Sequence, residues 1–184
     1  MTLWLVRHAR PLVAPGICYG ALDIPADTDA TAQAAQALAA ALPQGLPVYT
    51  SPLQRCEQLA QSLCGLRPDL VCKTDARLAE MDFGIWEGVG WAQIPRAALD
   101  AWTADFGAHR FGGVESANAV MQRVGAAWRA LQAQDAVWIT HAGVARAAML
   151  ISQGVSAVHA ADQWPRQAPD WGQWWCLPHC HRGT

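Results

Sequence analysis

The sequence predicts an α/β sandwich in which helices flank a mainly parallel sheet, because short apolar runs alternate with helical stretches. Residues 3–6 and 136–139 are uninterrupted apolar runs of four, a pattern typical of strands buried on both faces. Residues 48–50 form a weaker third strand candidate. Three such strands separated by helices favour one parallel sheet covered on both sides.

Helical stretches fill the space between these runs. The second begins after Ser51, which we expect to be its N-cap, with Pro52 at the first helical position. The first is rich in alanine and stops before Pro43. The predicted helices cover residues 31–42, 52–63, 116–134 and 143–153.

The chain of 184 residues is predicted to be a single domain, residues 1–184, since one domain commonly has 100–200 residues. Residues 83–114 lose the alternation of strand and helix and become rich in glycine and tryptophan. We interpret them as a lid-like excursion over the sheet. Trp86, Trp91 and Trp102 lie in it and are candidates for the wall of a pocket.

Composition excludes several classes of protein. Apolar residues make up 52% and charged residues 15%, which argues against disorder. A net charge of −2 means that the chain has no excess of positive charge for binding nucleic acid or an anionic membrane, so we expect neither as a partner. The N-terminus shows no basic leader and no apolar run reaches about 18 residues, so we expect a cytoplasmic protein.

Six cysteines show no CxxC pair and are expected to be reduced thiols in that compartment. The C-terminal tail gathers Cys176, His179, Cys180 and His181 within six positions, which raises a metal hypothesis. Closed zinc sites usually draw ligand pairs from two separated places, so we predict no metal site there. The role of this tail stays open at the level of sequence.

Charged and imidazole side chains follow the ends of the predicted strands, where ligands bind in open α/β sheets. Arg7 and His8 follow the first strand, Arg55 follows the second, and His141 and Ala142 follow the last. Arginine supplies permanently charged forks for phosphate oxygens. A neutral histidine can attack phosphorus, and a protonated histidine can stabilise the transferring phosphoryl group.

A departing alkoxide also needs a proton. The best candidate donor is Glu80, because the apolar and aromatic neighbours in residues 78–88 favour a carboxyl group that keeps its proton. The residues therefore predict phosphoryl transfer, with His8, His141 and Glu80 as the catalytic candidates.

These motifs together resemble the histidine phosphatase superfamily, which has the phosphoglycerate mutase-like fold. The resemblance rests on four segments in the family's order: residues 5–9 (LVRHA), 50–55 (TSPLQR), 80–88 (EMDFGIWEG) and 140–144 (THAGV). It implies a three-layer sandwich.

For the site, the resemblance implies that His8 is phosphorylated during the reaction and that Glu80 is the proton donor. It places Arg7, Arg55 and His141 around the phosphate, with Ala142 beside them. It also implies a metal-independent enzyme without a cofactor.

Within the superfamily, residues 10–25 are similar to bacterial alpha-ribazole phosphatase-like proteins, which adds Arg10, Tyr19 and Gly20 as substrate-binding candidates. Only 24 residues separate Arg55 from Glu80, fewer than in most phosphoglycerate mutases, which favours a phosphatase. Ala9 departs from the family's usual glycine, a change shared with the branch that acts on phosphohistidine proteins.

The expected activity is hydrolysis of a small-molecule phosphate monoester, with alpha-ribazole phosphate as one candidate. Three alternatives remain open: a phosphoglycerate mutase-type phosphotransferase, a protein phosphohistidine phosphatase and a non-catalytic phospholigand-binding module. Trp171, Trp174 and Trp175 could complete the sheet or form a homodimer contact.

Overall fold

A five-stranded, mostly parallel sheet organises the computed structural model, which describes residues 1–131 and 134–178. The strand order is β3-β2-β4-β1-β5, and β5 alone runs antiparallel to its neighbour, β1. The strands are β1 Thr2–Arg7, β2 Pro47–Thr50, β3 Val71–Thr74, β4 Ala136–Thr140 and β5 Trp174–Pro178. The predicted α/β class is confirmed, and Trp174 and Trp175 complete the sheet.

Helices cover both faces of this sheet: α1 Thr28–Ala41, α2 Gln54–Leu66, α3 Arg96–Ala104, α4 Ala117–Ala130 and α5 Ala142–Ser152. Alternate residues of a strand point to opposite faces. Val6 and Ile139 accordingly pack in the core formed with α1 and α2. Leu5 and Trp138 pack in the core formed with α4 and α5. Burial on both faces explains why these strands are uninterrupted apolar runs.

The starts of two helices differ from the predictions. Helix α2 begins at Gln54, with Leu53 as its N-cap, because the Ser51 hydroxyl lies 2.8 Å from Nε2 of His141 and Ser51 itself still bonds to the sheet. Helix α5 begins at Ala142, and its N-cap is His141. The start is one residue earlier than the predicted residue 143, and Thr140 is the last residue of β4.

The other two predicted helices also shift at their ends. Helix α1 begins three residues early, at Thr28, because the Asp27 carboxylate accepts a hydrogen bond from the backbone of Ala30 at 2.9 Å. Helix α4 has Ser116 as its N-cap and ends at Ala130.

Residues 83–114 pack on the core through aromatic rings. The segment contains α3 and two 3₁₀ turns, Gly84–Trp86 and Trp91–Gln93. Phe111 is completely buried, and the rings of Trp91 and Trp102 stack on it at centroid distances of 6.0 and 4.3 Å. These contacts hold the segment against the sheet, and its action as a lid stays a prediction.

The expectation that all cysteines are reduced is wrong for one pair. Cys64, near the end of α2, and Cys72, in β3, form a disulfide, because the packing of this helix on this strand places the two residues together. Cys18 and Cys56 are buried free thiols and Cys176 is exposed. His179, Cys180 and His181 of the tail lie outside the described residues.

None of the helices within residues 1–131 and 134–178 combines the length and the apolar character that crossing a membrane requires. Over the same residues, no group of three or more histidine, cysteine or acidic side chains is arranged to hold a metal ion.

Candidate active site

The strand order brings three distant segments of the sequence to one edge of the sheet. Strand β4 lies between β1 and β2, so the residues that follow these strands become neighbours. The backbone N–H of His8 donates to the Thr140 carbonyl, and that of Ser51 donates to the Ile139 carbonyl, each at 3.0 Å. The rings of His8 and His141 consequently lie with their centroids 5.1 Å apart.

His8 is set up as a neutral nitrogen base. Its Nδ1 donates to the carbonyl oxygen of Ala9 at 2.7 Å, because a carbonyl can only accept. The lone pair is therefore on Nε2. Burial, followed by the positive charge of Arg55, lowers the pKa of His8 to about 3. At neutral pH this imidazole is unprotonated and nucleophilic.

His141 is also neutral, which differs from the expected protonated partner. Its Nδ1 accepts a hydrogen bond from Nε of Arg55 at 3.2 Å, so its proton is on Nε2, which donates to the Ser51 hydroxyl at 2.8 Å. Complete burial, followed by the nearby His8 and Arg55, lowers the pKa of His141 well below its ordinary value. A phosphate dianion at this position would act in the opposite direction and favour protonation.

Arg55 is completely buried at the start of α2. Its Nη2 donates to the Gly20 carbonyl at 2.6 Å and its Nη1 donates to the Leu22 carbonyl at 2.9 Å. The guanidinium also lies 5.5 Å from the centroid of the Tyr19 ring. Since a guanidinium has five N–H groups and the protein engages three here, two remain for phosphate oxygens.

The loop that holds Arg55 is itself held by Glu87. The carboxylate accepts hydrogen bonds from the backbone N–H groups of Gly20, Ala21 and Leu22 at 2.9 to 3.0 Å, and from Phe83 at 2.9 Å. Sequence reasoning noted Glu87 only as part of a motif. No local pattern indicates that its carboxylate would organise a loop 65 residues away.

Position 20 has to be glycine because the loop packs closely against its neighbours there. A Cβ atom at this position would collide with the carbonyl oxygen of Met81 and with the Phe83 ring. Gly20 therefore shapes the site through its backbone and its carbonyl contact with Arg55.

Arg7 has a buried donor without an acceptor. Its Nη1 donates to the Pro169 carbonyl at 3.1 Å, and its guanidinium lies 5.3 Å from the centroid of the Trp171 ring. Its Nε is buried and has no hydrogen-bond partner in the described part of the chain. Burial lowers the pKa of Arg7. A guanidinium with a buried, free N–H is what an anion site needs before its ligand binds.

Glu80 lies at the N-terminus of α5. Its carboxylate accepts hydrogen bonds from the backbone N–H groups of Gly143 at 3.0 Å and Met81 at 3.1 Å. Gly143 has no side chain, and a Cβ there would collide with this carboxylate. The negative charge of Glu80 raises the pKa of Arg7 against the effect of burial, so the two groups share one site.

The remaining sequence candidates are Arg10, Ala142 and Tyr19. Arg10 is exposed and pairs with Asp27 at 3.1 Å, so it is not part of the group around the imidazoles. Ala142, the first residue of α5, is partly buried directly beside His141. Tyr19 and Arg10 line a cleft of about 670 Å³ formed mainly by residues 10–17 and Trp171.

A second cavity, of about 240 Å³, lies on the side of Glu80. Its wall includes Phe83, Trp91, Trp102 and Arg146. Two of the three tryptophans that the sequence suggested for a pocket wall, Trp91 and Trp102, thus line this cavity.

Comparison with known proteins agrees with this fold. The family model of the histidine phosphatase superfamily (branch 1) matches residues 3–175. The chain belongs to this superfamily. The comparison with curated proteins found no match.

Several solved structures are similar over almost the whole chain. TTHB049 from Thermus thermophilus is 30% identical, with a TM-score of 0.73, and the match covers 96% of this chain and 92% of that one. Mycobacterial glucosyl-3-phosphoglycerate phosphatase Rv2419c, solved with VO3, is 24% identical with a TM-score of 0.80, over 96% and 90% of the two chains. Mycobacterial hydrolase 1 is 23% identical with a TM-score of 0.79, over 100% and 92%.

Proposed function

We propose that this protein is a phosphomonoesterase that hydrolyses a small-molecule phosphate ester through a phosphohistidine at His8, without a metal or cofactor. One observation carries the proposal. The hydrogen bond from Nδ1 of His8 to Ala9, together with the pKa near 3, leaves a neutral Nε2 lone pair at the edge of the sheet. Membership of the histidine phosphatase superfamily supports this chemistry.

The reaction consists of two displacements at phosphorus. In the first, Nε2 of His8 forms a bond to phosphorus while the bond to the ester oxygen breaks, and Glu80 gives its proton to the departing alcohol. In the second, Glu80 takes a proton from water as the water oxygen attacks phosphorus. The bond between phosphorus and Nε2 then breaks, which releases inorganic phosphate and restores neutral His8.

The surrounding cations stabilise charge on the phosphoryl oxygens. Arg7 contributes its unpartnered Nε, and Arg55 contributes the two N–H groups that the loop carbonyls leave free. The ring centroids of His141 and His8 lie 5.1 Å apart, so a phosphoryl group on His8 also lies beside His141. A site already shaped for the anion reduces the reorganisation needed in the transition state.

The shape of the site favours a small substrate over a phosphorylated protein. The cavity beside Glu80 is walled by the aromatic side chains of residues 83–114 and encloses about 240 Å³, which suits a small leaving group. A panel of metabolite phosphates that includes alpha-ribazole phosphate, glucosyl-3-phosphoglycerate and 3-phosphoglycerate identifies the substrate by kcat/KM. Release of free phosphate from 3-phosphoglycerate distinguishes hydrolysis from transfer to a second hydroxyl.

The test replaces the nucleophile. We expect His8→Ala to abolish hydrolysis of nitrophenyl phosphate in buffer containing a chelator, and to abolish the acid-labile phosphohistidine that rapid quenching traps in the parent. His159→Ala is the matched control, because His159 is exposed on the surface. Thermal unfolding establishes that the variants fold. Parent-like turnover in folded His8→Ala protein would refute the proposed nucleophile, and turnover lost on chelation would refute metal independence.

A further inference from the structure

The smaller cavity is the one that opens on the proton donor. Glu80 and Gly143, whose N–H orients that carboxylate, both belong to its lining. The larger cleft is lined by residues 10–17, Tyr19 and Trp171, and its lining does not include Glu80. Because the proton must pass from Glu80 to the ester oxygen, the alcohol part of the substrate has to lie on the side of Glu80. Glu80 lines the smaller cavity, which places this cavity on the proton donor's side of the site.

We infer that this cavity selects a ring-sized alcohol that carries a carboxylate, and that Arg146 is the residue that recognises this carboxylate. The inference rests on the proposed function and narrows its class of substrate. It concerns a residue that none of the sequence motifs assigned to the site.

Arg146 brings an uncompensated positive charge to the cavity wall. It lies on α5, its Nη2 donates to the Arg166 carbonyl at 3.2 Å, and its buried Nε has no partner in the described residues. No carboxylate of the described chain lies within salt-bridge distance of it. A partly buried guanidinium without a counter-charge is costly unless a ligand supplies one.

In the proposed reaction the phosphate pairs with arginines other than Arg146. A bound phosphate dianion balances Arg7 and Arg55. While Glu80 holds the proton that it donates, it contributes no negative charge. The positive charge of Arg146 then remains, and it also lies close enough to lower the pKa of Arg7. A carboxylate on the substrate would supply a counter-charge beside Arg146, which has no salt-bridge partner in the described residues.

The rest of the wall fits a flat or apolar ring. The rings of Phe83 and Trp91 meet edge to face at a centroid distance of 5.9 Å. The other aromatic residues of the lining are Trp102, Phe106 and Trp164. The buried Nε1 of Trp102 has no acceptor in the described chain, so an oxygen of the ligand can satisfy it. With a volume of about 240 Å³, the cavity has room for one ring with a substituent.

Two synthetic esters of equal size test the selection. We expect the parent protein to hydrolyse 4-carboxyphenyl phosphate with a kcat/KM about tenfold or more above that of 4-carbamoylphenyl phosphate, since the amide keeps the ring but removes the charge. Arg146→Met should bring the ratio of the two kcat/KM values close to one, and Arg146→Lys should restore part of it. Arg129→Met is the matched control, because Arg129 is exposed in the last turn of α4 and should keep the parent ratio.

A binding measurement gives a readout without turnover. In His8→Ala protein, calorimetry should show tighter binding of 4-hydroxybenzoate than of 4-hydroxybenzamide, and Arg146→Met should remove the difference. Melting curves confirm that each variant is folded.

The outcomes separate the two proposals. If neither ester is hydrolysed and His8 is not phosphorylated, the proposed function fails. If both are hydrolysed at equal kcat/KM by the parent, the carboxylate selection is wrong. If Arg146→Met lowers both kcat/KM values by the same factor, Arg146 serves the phosphate itself and the inference is also wrong.

Discussion

Glu87 makes the clearest quantitative prediction, because each of its oxygens accepts two backbone hydrogen bonds. Oε1 accepts from Ala21 and Phe83, and Oε2 accepts from Gly20 and Leu22. Glu87→Gln keeps the shape but turns one oxygen into an NH2 group, which faces two N–H donors and loses both bonds. Bonds to a charged group contribute about 1.5–3 kcal/mol each, and at this partly exposed position we take the lower value, so the free energy of unfolding should fall by about 3 kcal/mol.

The same change should weaken phosphate binding. The loop that Glu87 holds supplies the Gly20 and Leu22 carbonyls that orient Arg55, so a displaced loop misplaces this guanidinium. We expect the inhibition constant of inorganic phosphate and the KM of nitrophenyl phosphate to rise together by about tenfold, as for about 1.4 kcal/mol of lost binding.

Urea unfolding and steady-state kinetics measure the two effects. Glu57→Gln, a glutamate in the first turn of α2, is the control that removes the same charge away from the loop. Unchanged stability and an unchanged inhibition constant in Glu87→Gln would show that the four bonds do not support Arg55. Loss of stability with unchanged phosphate binding would show that the position of Arg55 does not depend on these four bonds.

Two further predictions concern pH and packing. Folding lowers the pKa of His8 from 6.5 to about 3. Between these values the unfolded chain binds a proton that the folded protein does not. The free energy of unfolding therefore falls as the pH decreases from 6.5 towards about 3. Between about pH 4 and 5.5, His8→Asn should make the slope of unfolding free energy against pH smaller by about 1.4 kcal/mol per unit, and an unchanged slope would contradict a buried neutral His8. Gly20→Ala should lower both stability and kcat/KM because its Cβ collides with Met81, whereas Gly65→Ala, in open space on α2, should be neutral or stabilise by up to about 1 kcal/mol. Equal melting temperatures for the two glycine variants would refute the packing argument.

The strands were predictable because burial on both faces leaves a simple pattern. Residues 3–6 and 136–139 lie between two helical layers, so each position is apolar regardless of which face it meets. Strand β3 was not predicted, and β5 was anticipated only as one of two possibilities for Trp174 and Trp175. Both strands lie at the sides of the sheet, where exposed positions interrupt the apolar pattern. The disulfide between Cys64 and Cys72 was not predicted, because a sequence separation of eight residues does not indicate how α2 packs on β3.

The sequence alone determined which residues follow the strands. Because these strands are parallel, their carboxyl ends lie at the same end of the sheet. That was sufficient to group His8, Arg55 and His141 from the amino-acid order. Only the tertiary structure decided their states, because the tautomer and neutrality of His8 depend on burial and on Arg55, a residue distant in sequence. Glu87 and Arg146 likewise take their places from contacts across the fold, since a carboxylate or guanidinium in the sequence does not indicate which backbone groups or cavity it will meet.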